Sequence, residues 1–528
     1  MAGKIINLAD IGIVTNILLL LFHDMKKTIL PLFLFMCLLG AGFLSFKPKD
    51  KRPNIIILFS DDHALQGISA YGSPYIKTPN IDRLAKEGAL YQNMFCTNSL
   101  CAPSRATLLT GKFSHKNGHK DNSTQFDAGQ NMYPKYLQTA GYQTSWIGKW
   151  HLQATPQYFD YWSVVPGQGA YYNPDFHEMG GKTVRHEGYA TDVITNKALK
   201  WLSSDRDDSK PFCLVIGHKC PHRNWLPDTG DLRAFDNVKF QLPKTFYDTY
   251  EGRLAAKRQD MTVTKTMRLK EDLKVGAEND EFVKRMNPAQ RKAWLAYYDQ
   301  VTADFKKQNL SGRALDEWKY QRYMQDYLGT LRSLDRNVGR VLDYLDKTGL
   351  AENTIVIYSS DQGFYLGEHG WFDKRFMYEE SHHMPMLIRY PKRIKPGTID
   401  RAIHNNTDFA PTILQEAGLQ VPKDMQGQSF FSKTPRKSTY YHYYEYPAEH
   451  SVQAHFGIRT DRYKLIRFYK DGDYWELYDL KTDPDELKNQ YGNPAYKAIQ
   501  KQLLIDLKKV ILQYEDTEAA EILNKEGV

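Results

Sequence analysis

The sequence predicts an α/β fold: a mixed, mostly parallel central sheet flanked by helices, followed by a smaller antiparallel sheet-plus-helix subdomain. Three observations predict it. Residues 54–59, 212–216 and 354–358 are continuous apolar runs, as expected of strands buried on both faces. Stretches with helical spacing lie between these runs, which favours parallel pairing with helices on both faces. Beyond residue 437 the pattern changes to short aromatic and apolar runs closed by one helical stretch.

In chain order, the first fifty residues read as targeting sequence. Met25-Lys26-Lys27 opens a positive segment and residues 29–44 form an apolar one too short for a comfortable membrane span. Residues 1–24 read as an upstream extension and 25–50 as a signal peptide, with an uncleaved anchor as the rival reading. The large Met36 before Cys37 argues against a lipidation site. Either way the body is expected to be exported, to the periplasm or cell surface, with no stable membrane insertion after signal removal.

Residues 51–430 read as one large domain and 431–528 as the C-terminal subdomain, a division that suits 528 residues. After the first strand, residues 81–87 have helical spacing and Gly88 offers a stop. Residues 250–325 are polar, charged and helix-prone, and read as an insertion. Leu328, Leu331, Leu334, Val338, Val341 and Leu345 mark one face of a long helix. Residues 438–446, 457–468 and 475–478 read as antiparallel strands, and Ile499, Leu503 and Leu507 as one side of a last helix.

The four cysteines outside the leader, Cys96, Cys101, Cys213 and Cys220, are too few to staple an exported protein. A net charge of +8 is diffuse and agrees with an anionic substrate. No basic cluster forms a nucleic-acid stripe. The Tyr-rich composition suits carbohydrate, because rings stack on sugar faces while hydroxyls hydrogen-bond; it equally suits packing.

Ligands in open α/β sheets gather at the carboxyl ends of strands. Asp61-Asp62 follows the first strand and Asp361-Gln362 the third. Four oxygen donors with no His or Cys suit a hard cation, calcium or magnesium. Each Asp could instead cap a turn, but two such pairs at equivalent strand ends favour the cation. Cys101 stands in Cys101-Ala102-Pro103-Ser104-Arg105, where Pro103 and Ser104 signal a helix start. A helix N-terminus with Arg105 one turn on suits an anion. From these residues alone Cys101 is either a thiolate nucleophile or a packed core residue.

Cys101-Ala102-Pro103-Ser104-Arg105 followed by Leu109-Thr110-Gly111-Lys112 resembles the signature of the type I sulfatases, a family with an alkaline-phosphatase-like fold. The resemblance implies that a maturation enzyme converts Cys101 to Cα-formylglycine. One hydroxyl of the hydrated aldehyde then attacks sulfur, and the other expels sulfate, so that covalent catalysis splits one hard step into two. It also implies one calcium ion held by Asp61, Asp62, Asp361, Gln362 and residue 101, with Gln362 standing where Asn or His is more usual. Gly148-Lys149-Trp150-His151 matches the family run, which assigns Lys149 to a sulfate oxygen and His151 to a diol hydroxyl; Gln153 stands where Gly is commoner. Lys374 matches the second sulfate lysine. His222 matches the leaving-group acid, with His218 as its rival.

Tyr171-Tyr172-Asn173, residues 186–193, Cys220-Pro221-His222 and Asp373-Lys374-Arg375 resemble the glucosamine-6-sulfatase branch of that family. The implied substrate is 6-O-sulfated N-acetylglucosamine or N-sulfoglucosamine in a glycosaminoglycan such as heparan sulfate. Terminal attack is expected, because the C-terminal region lacks a long basic tract for gripping a polymer. His383, Tyr444, Glu445, His450 and His455 are the candidate sugar contacts; water-facing strand or loop positions are the alternative for each. Competing readings are a sulfatase for galactosamine-6-sulfate, keratan or mucin, a related phosphoesterase or phosphoethanolamine transferase, and a glycan-binding protein without catalysis. Cys101 and the oxygen-only cation set argue against the phosphoesterases.

Overall fold

The computed structural model describes residues 52–525. The predicted extension at 1–24 and signal peptide at 25–50 lie outside the described residues. No described helix is long and apolar enough to cross a membrane.

The main sheet contains β1 (Asn54–Ser60), β2 (Ala89–Phe95), β3 (Gln143–Lys149), β4 (Tyr161–Val165), β5 (Asp175–Glu178), β6 (Thr183–Arg185), β7 (Phe212–Gly217), β8 (Thr354–Ser360), β9 (Met386–Arg389) and β10 (Thr398–Asn405). Their order is β10-β2-β9-β8-β1-β7-β3-β4-β5-β6. The central run β8-β1-β7-β3-β4 is parallel throughout, and β9, β5 and β6 pair antiparallel with their neighbours.

The continuous apolar runs have a direct cause. On β1, Ile56 and Leu58 enter the core on one face, while Ile55, Ile57 and Phe59 enter the core on the other. β7 and β8 split in the same way, with Leu214 and Val356 on the first face and Val215 and Ile357 on the second. Helices fill both sides. The Gly312–Lys347 helix lays Leu328, Leu331, Leu334, Val338, Val341 and Leu345 on the first face, as its spacing predicts. Pro79–Glu87 is helical and ends at Gly88, where a Cβ would meet the Ile388 carbonyl oxygen at 2.0 Å.

The charged stretch at 250–325 is not a free-standing insertion. Its Met267, Leu273, Trp294 and Tyr297 join the first core. Its last residues already belong to the 36-residue Gly312–Lys347 helix. The preceding helix, Pro288–Gln308, starts at a capping box in which Asn287 and Gln290 satisfy each other's backbone N–H groups.

The C-terminal sheet has four strands, β11 (Ser438–Tyr443), β12 (His455–Thr460), β13 (Tyr463–Phe468) and β14 (Tyr474–Asp479), in sequential antiparallel order. The single strand expected over 457–468 is therefore two. Thr460 Oγ1 accepts from the Tyr463 backbone N–H at 3.0 Å and closes a tight turn at Asp461-Arg462, which the apolar pattern on either side conceals. One face of this sheet packs Tyr441, Tyr443, Ile466 and Phe468 into the second main core. Its other face packs Phe456, Ile458 and Leu465 on Leu503, Leu507 and Ile511 of the Lys497–Tyr514 helix. A further helix, Thr517–Lys525, closes the described chain.

Candidate active site

Four parallel neighbours, β8, β1, β7 and β3, end on one edge of the sheet and carry the predicted chemistry. Asp61-Asp62 follows β1, Asp361-Gln362 follows β8, His218 to His222 follows β7, and Lys149 is the last residue of β3. Ser60 registers with Ser360, so the two acidic pairs leave adjacent strands side by side. β3 and β7 approach so closely at Gly148 (φ 103°) that a Cβ there would sit 2.0 Å from the Gly217 carbonyl oxygen. That contact requires glycine and sets Lys149 beside the β7 loop.

Cys101 opens a ten-residue helix, Cys101–Thr110, that is buried along its whole length. Its Sγ, an oxygen of Asp61 and a ring nitrogen of His222 lie within 4.8 Å of one another. Carboxylate oxygens of Asp61, Asp62 and Asp361 also lie within 4.8 Å of one another. All three acids are buried. Arg105 NH2 lies 3.0 Å from Asp361 Oδ2 and 3.8 Å from Asp61 Oδ1, while its NH1 donates to the Lys149 carbonyl at 3.0 Å. Lys149 Nζ donates to Asp61 Oδ2 and to Gln168 Oε1. Lys374 Nζ reaches Asp62 Oδ1 at 2.7 Å and Cys101 Sγ at 3.5 Å.

Asp62 (φ 65°), His151 (58°), Asp373 (77°) and Arg375 (96°) are left-handed non-glycine residues. The Tyr327 hydroxyl holds the Asp62 turn by donating to its carbonyl at 2.7 Å while accepting from Ala64 N–H at 2.9 Å.

Crowding three carboxylates in a dry site moves their pKa values apart. Burial raises Asp62 to about 6, with Lys374 opposing and Asp61 and Asp373 adding to the rise. Burial, then the Asp61 charge, raises Asp361 to about 7 against the pull of Arg105. Burial acts the same way on Asp61, but Lys149, His222 and Arg105 outweigh it and hold that carboxyl well below the usual range. Asp61 Oδ1 and Gln362 Oε1 are buried with no hydrogen-bond partner, and Gln362 Nε2 abuts Asp62 Oδ1. Three close carboxylates and the Gln362 amide, with two of their oxygens orphaned, are the oxygen-only donor set that fits a hard divalent cation.

Burial pushes the Cys101 thiol well above its ordinary value, and Asp61 adds to the rise while Lys374 and Lys149 offset part of it. Burial and the Asp61 charge thus favour the neutral thiol over the thiolate in an unmodified Cys101. The other three described cysteines, Cys96, Cys213 and Cys220, are free and buried.

The two candidate histidines part company. His222 Nδ1 donates to the Arg223 carbonyl at 2.7 Å, which turns Nε2 toward Asp62 Oδ2 at 3.8 Å. Burial and Lys149 hold its pKa well below the ordinary value. His218 is 1% exposed, has no partner on either ring nitrogen, and is pushed by burial to about 3. His218 is a core residue at the end of β7. His151 has an unpartnered buried Nδ1, and burial with Lys149 holds it near a pKa of about 2.

Two of the five candidate sugar contacts adjoin the Lys374 loop. Arg375 NH1 pairs with Glu445 Oε2 at 2.8 Å, and His450 Nε2 lies 3.2 Å from Asp373 Oδ2. The structure corrects the other three. Tyr444 faces away, stacked on His442 at 3.7 Å with its hydroxyl toward Asp516. His455 is fully enclosed, with Nε2 accepting from Met377 N–H and Nδ1 donating to the Gln453 carbonyl. His383 stacks on Phe95 at 4.9 Å, in a cluster with Glu379 and Arg459. Sequence reasoning missed Gln168 and Asp373. Asp373 immediately precedes Lys374; Gln168 had only the flanking Gly167 and Gly169 as a signal.

The comparisons with known proteins agree with this geometry. The family described as Sulfatase matches residues 53–419, and that described as N-sulphoglucosamine sulphohydrolase, C-terminal, matches 367–513. The chain is 50% identical to an N-acetylglucosamine-6-O-sulfatase of Bacteroides thetaiotaomicron, over 90% of this chain and 89% of the relative. It is 24% identical to an ulvan-active sulfatase of Formosa agariphila, over 88% and 82% of the two chains. A solved structure of a protein in complex with its substrate D-glucosamine-2-N,6-O-disulfate superposes with a TM-score of 0.86 and 49% identity, over 88% of this chain and 99% of that one. A phosphonate monoester hydrolase from Silicibacter pomeroyi shares the fold, with a TM-score of 0.63 at 18% identity over 88% and 96% of the chains. With a family match across most of its length and the conserved-type signature at Cys101 inside the carboxylate cluster, the chain belongs to the sulfatase family.

Proposed function

We propose that the protein hydrolyses the 6-O-sulfate ester of N-acetylglucosamine or N-sulfoglucosamine residues at the ends of glycosaminoglycan chains such as heparan sulfate. The observation that carries the reading is Cys101 set among Asp61, Asp62 and Asp361 with Lys149 and Lys374 converging on the same buried space. The half-identical relative named as an N-acetylglucosamine-6-O-sulfatase supports the choice of sugar.

Asp61, Asp62, Asp361 and Gln362 would hold one calcium ion, which supplies Lewis-acid polarisation of a sulfuryl oxygen. Converted to Cα-formylglycine by a maturation enzyme, residue 101 supplies a hydrated-aldehyde hydroxyl as nucleophile. The remaining work falls to ordinary side chains. Lys149 and Lys374 bring positive charge to the oxygens of the bound sulfate. Arg105 is buried against Asp361 and Asp61 and fixes the carboxylates around residue 101. His222 presents Nε2 to the site, so a proton gained there passes to the departing sugar oxygen, a poor leaving group without it. His151 has its unpartnered Nδ1 available to take a proton from residue 101. Residues 25–50 act as a signal peptide in this reading and deliver the enzyme to the periplasm or cell surface.

A panel of 6-, 4-, 3- and 2-O-sulfated monosaccharides tests the assignment. Turnover confined to 6-sulfated glucosamines is the expected result. Activity on 6-sulfated galactosamine with none on the glucosamine would overturn the sugar assignment.

A further inference from the structure

His222 stands on the loop that follows β7, with a ring nitrogen beside Cys101 Sγ and Asp61. Its Nδ1 meets the Arg223 carbonyl at 2.7 Å. A carbonyl only accepts, so Nδ1 carries a hydrogen and Nε2 is the nitrogen that exchanges a proton with the site. The direction of Nε2 therefore depends on where the Arg223 backbone is held.

Residues 271–274, in the charged stretch at 250–325, hold that backbone at Arg223, Asn224 and Trp225 in turn. The Arg223 guanidinium donates from Nε to Asp272 Oδ1 at 2.7 Å and from NH2 to Asp272 Oδ2 at 2.8 Å. Its carbon lies 5.0 Å from the centre of the Phe372 ring. Asn224 Nδ2 donates to the Glu271 carbonyl at 2.9 Å. The buried Lys274 Nζ donates to the Trp225 carbonyl at 2.9 Å and to the Asp272 carbonyl at 2.6 Å, with Asp326 Oδ2 at 3.0 Å as its counter-charge. Asp272 is fully buried, and its Oδ2 also accepts from the Arg268 backbone N–H at 2.8 Å.

We propose that Asp272 is a positioning residue for the leaving-group acid: through Arg223 it fixes the carbonyl that aims His222 Nε2 at the departing ester oxygen. The assignment rests on the role of His222 proposed above. Two features support it. The Arg223–Asp272 pair is bidentate and largely buried. Desolvation offsets much of the Coulomb gain of such a pair, whereas its two parallel bonds fix a direction. The clamp also acts where it matters, on the three residues that directly follow His222. A shift of about 1 Å in a reacting group can cost about a hundredfold in rate.

The test is a mutant cycle on 6-O-sulfated N-acetylglucosamine, repeated on nitrophenyl sulfate, whose leaving group needs no proton. Asp272→Asn should lower kcat on the sugar ester by about tenfold to a hundredfold, out of the roughly hundredfold to ten-thousandfold that a general acid contributes, with KM little changed. The loss on the aryl ester should be far smaller. Arg223→Gln, at a partly exposed side chain, should give the same pattern and replaces Asp272→Asn should that protein not fold. In a His222→Ala background either change should cost little further, because both act through the ring. Equal losses on the two esters, or losses that multiply with that of His222→Ala, would overturn the positioning role and leave the acid assignment standing. Undiminished sugar-ester turnover by His222→Ala would overturn the acid assignment and this proposal with it.

Discussion

Lys374 grips both carboxylate oxygens of Asp62, at 2.7 and 2.8 Å, while its ammonium stands 3.5 Å from Cys101 Sγ. One cation thus touches a carboxylate proposed as a metal ligand and the proposed nucleophile position together. Burial opposes its charge, but Asp62 and Cys101 outweigh burial and raise its pKa well above the ordinary value, so it stays charged. Lys374→Ala should lower kcat/KM by about a hundredfold to a thousandfold, the usual loss when one donor to a developing charge is removed. Near-wild-type kinetics in a folded Lys374→Ala protein would remove Lys374 from the mechanism.

Chelation should abolish turnover, and calcium should restore it. The orphaned Asp61 Oδ1 and Gln362 Oε1 and the three close carboxylates offer a hard cation its oxygen ligands. Calcium at about a hundred times its dissociation constant should stabilise the fold by about 2.7 kcal/mol, seen as a rise in Tm. Asp361→Asn should weaken the calcium response. Unchanged Tm and rate after chelation would contradict the site.

The two raised carboxylates should make the calcium response depend on pH, and calcium should stabilise the fold more at pH 7 than at pH 5. The folded-state pKa values of Asp62 and Asp361, about 6 and about 7, lie above their ordinary 3.8. The folded state therefore binds more protons between about pH 4 and 7, and the stability those groups contribute at low pH is lost as pH passes through 6 and 7. Asp61, held below its ordinary value, acts oppositely and only in more acidic solution. Thermal unfolding at pH 5 and pH 7, each with calcium and with chelator, checks this: buried histidines such as His218, held below their ordinary value, act with and without calcium, and the rise in Tm on adding calcium should be larger at pH 7, with protons released on binding at pH 5. A calcium-induced rise in Tm no larger at pH 7 than at pH 5 would contradict it.

His222 and His218 should separate cleanly in mutants. His222→Ala should cut kcat most for sugar esters and far less for aryl sulfates, whose leaving groups need no proton. His218→Ala should lower Tm through a core cavity while sparing kcat. The reverse pattern would exchange their roles.

Much of this was legible in the sequence, and the losses have physical reasons. β1, β7 and β8 show as apolar runs because each feeds both cores. The acidic pairs showed as strand-end residues, yet their meeting depends on Ser60 pairing with Ser360, a partner choice that no local pattern encodes. His455 looked exposed because it stands in a polar, aromatic strand; in the fold it lies among Tyr441, Phe376 and Phe468. Tyr444 and Glu445 are consecutive and point to opposite sides, so only one of them could face Arg375. Gln168 was invisible because its contact with Lys149 is made by the loop between β4 and β5, whose approach to the end of β3 no local pattern encodes.

Sulfate release from 6-O-sulfated N-acetylglucosamine by the wild-type protein and by Cys101→Ala tests the central claim most directly. The wild type, produced in a host with the maturation enzyme, should release sulfate, and Cys101→Ala should release none above background while still binding the sugar. Sulfate release at a comparable rate by Cys101→Ala would contradict the account.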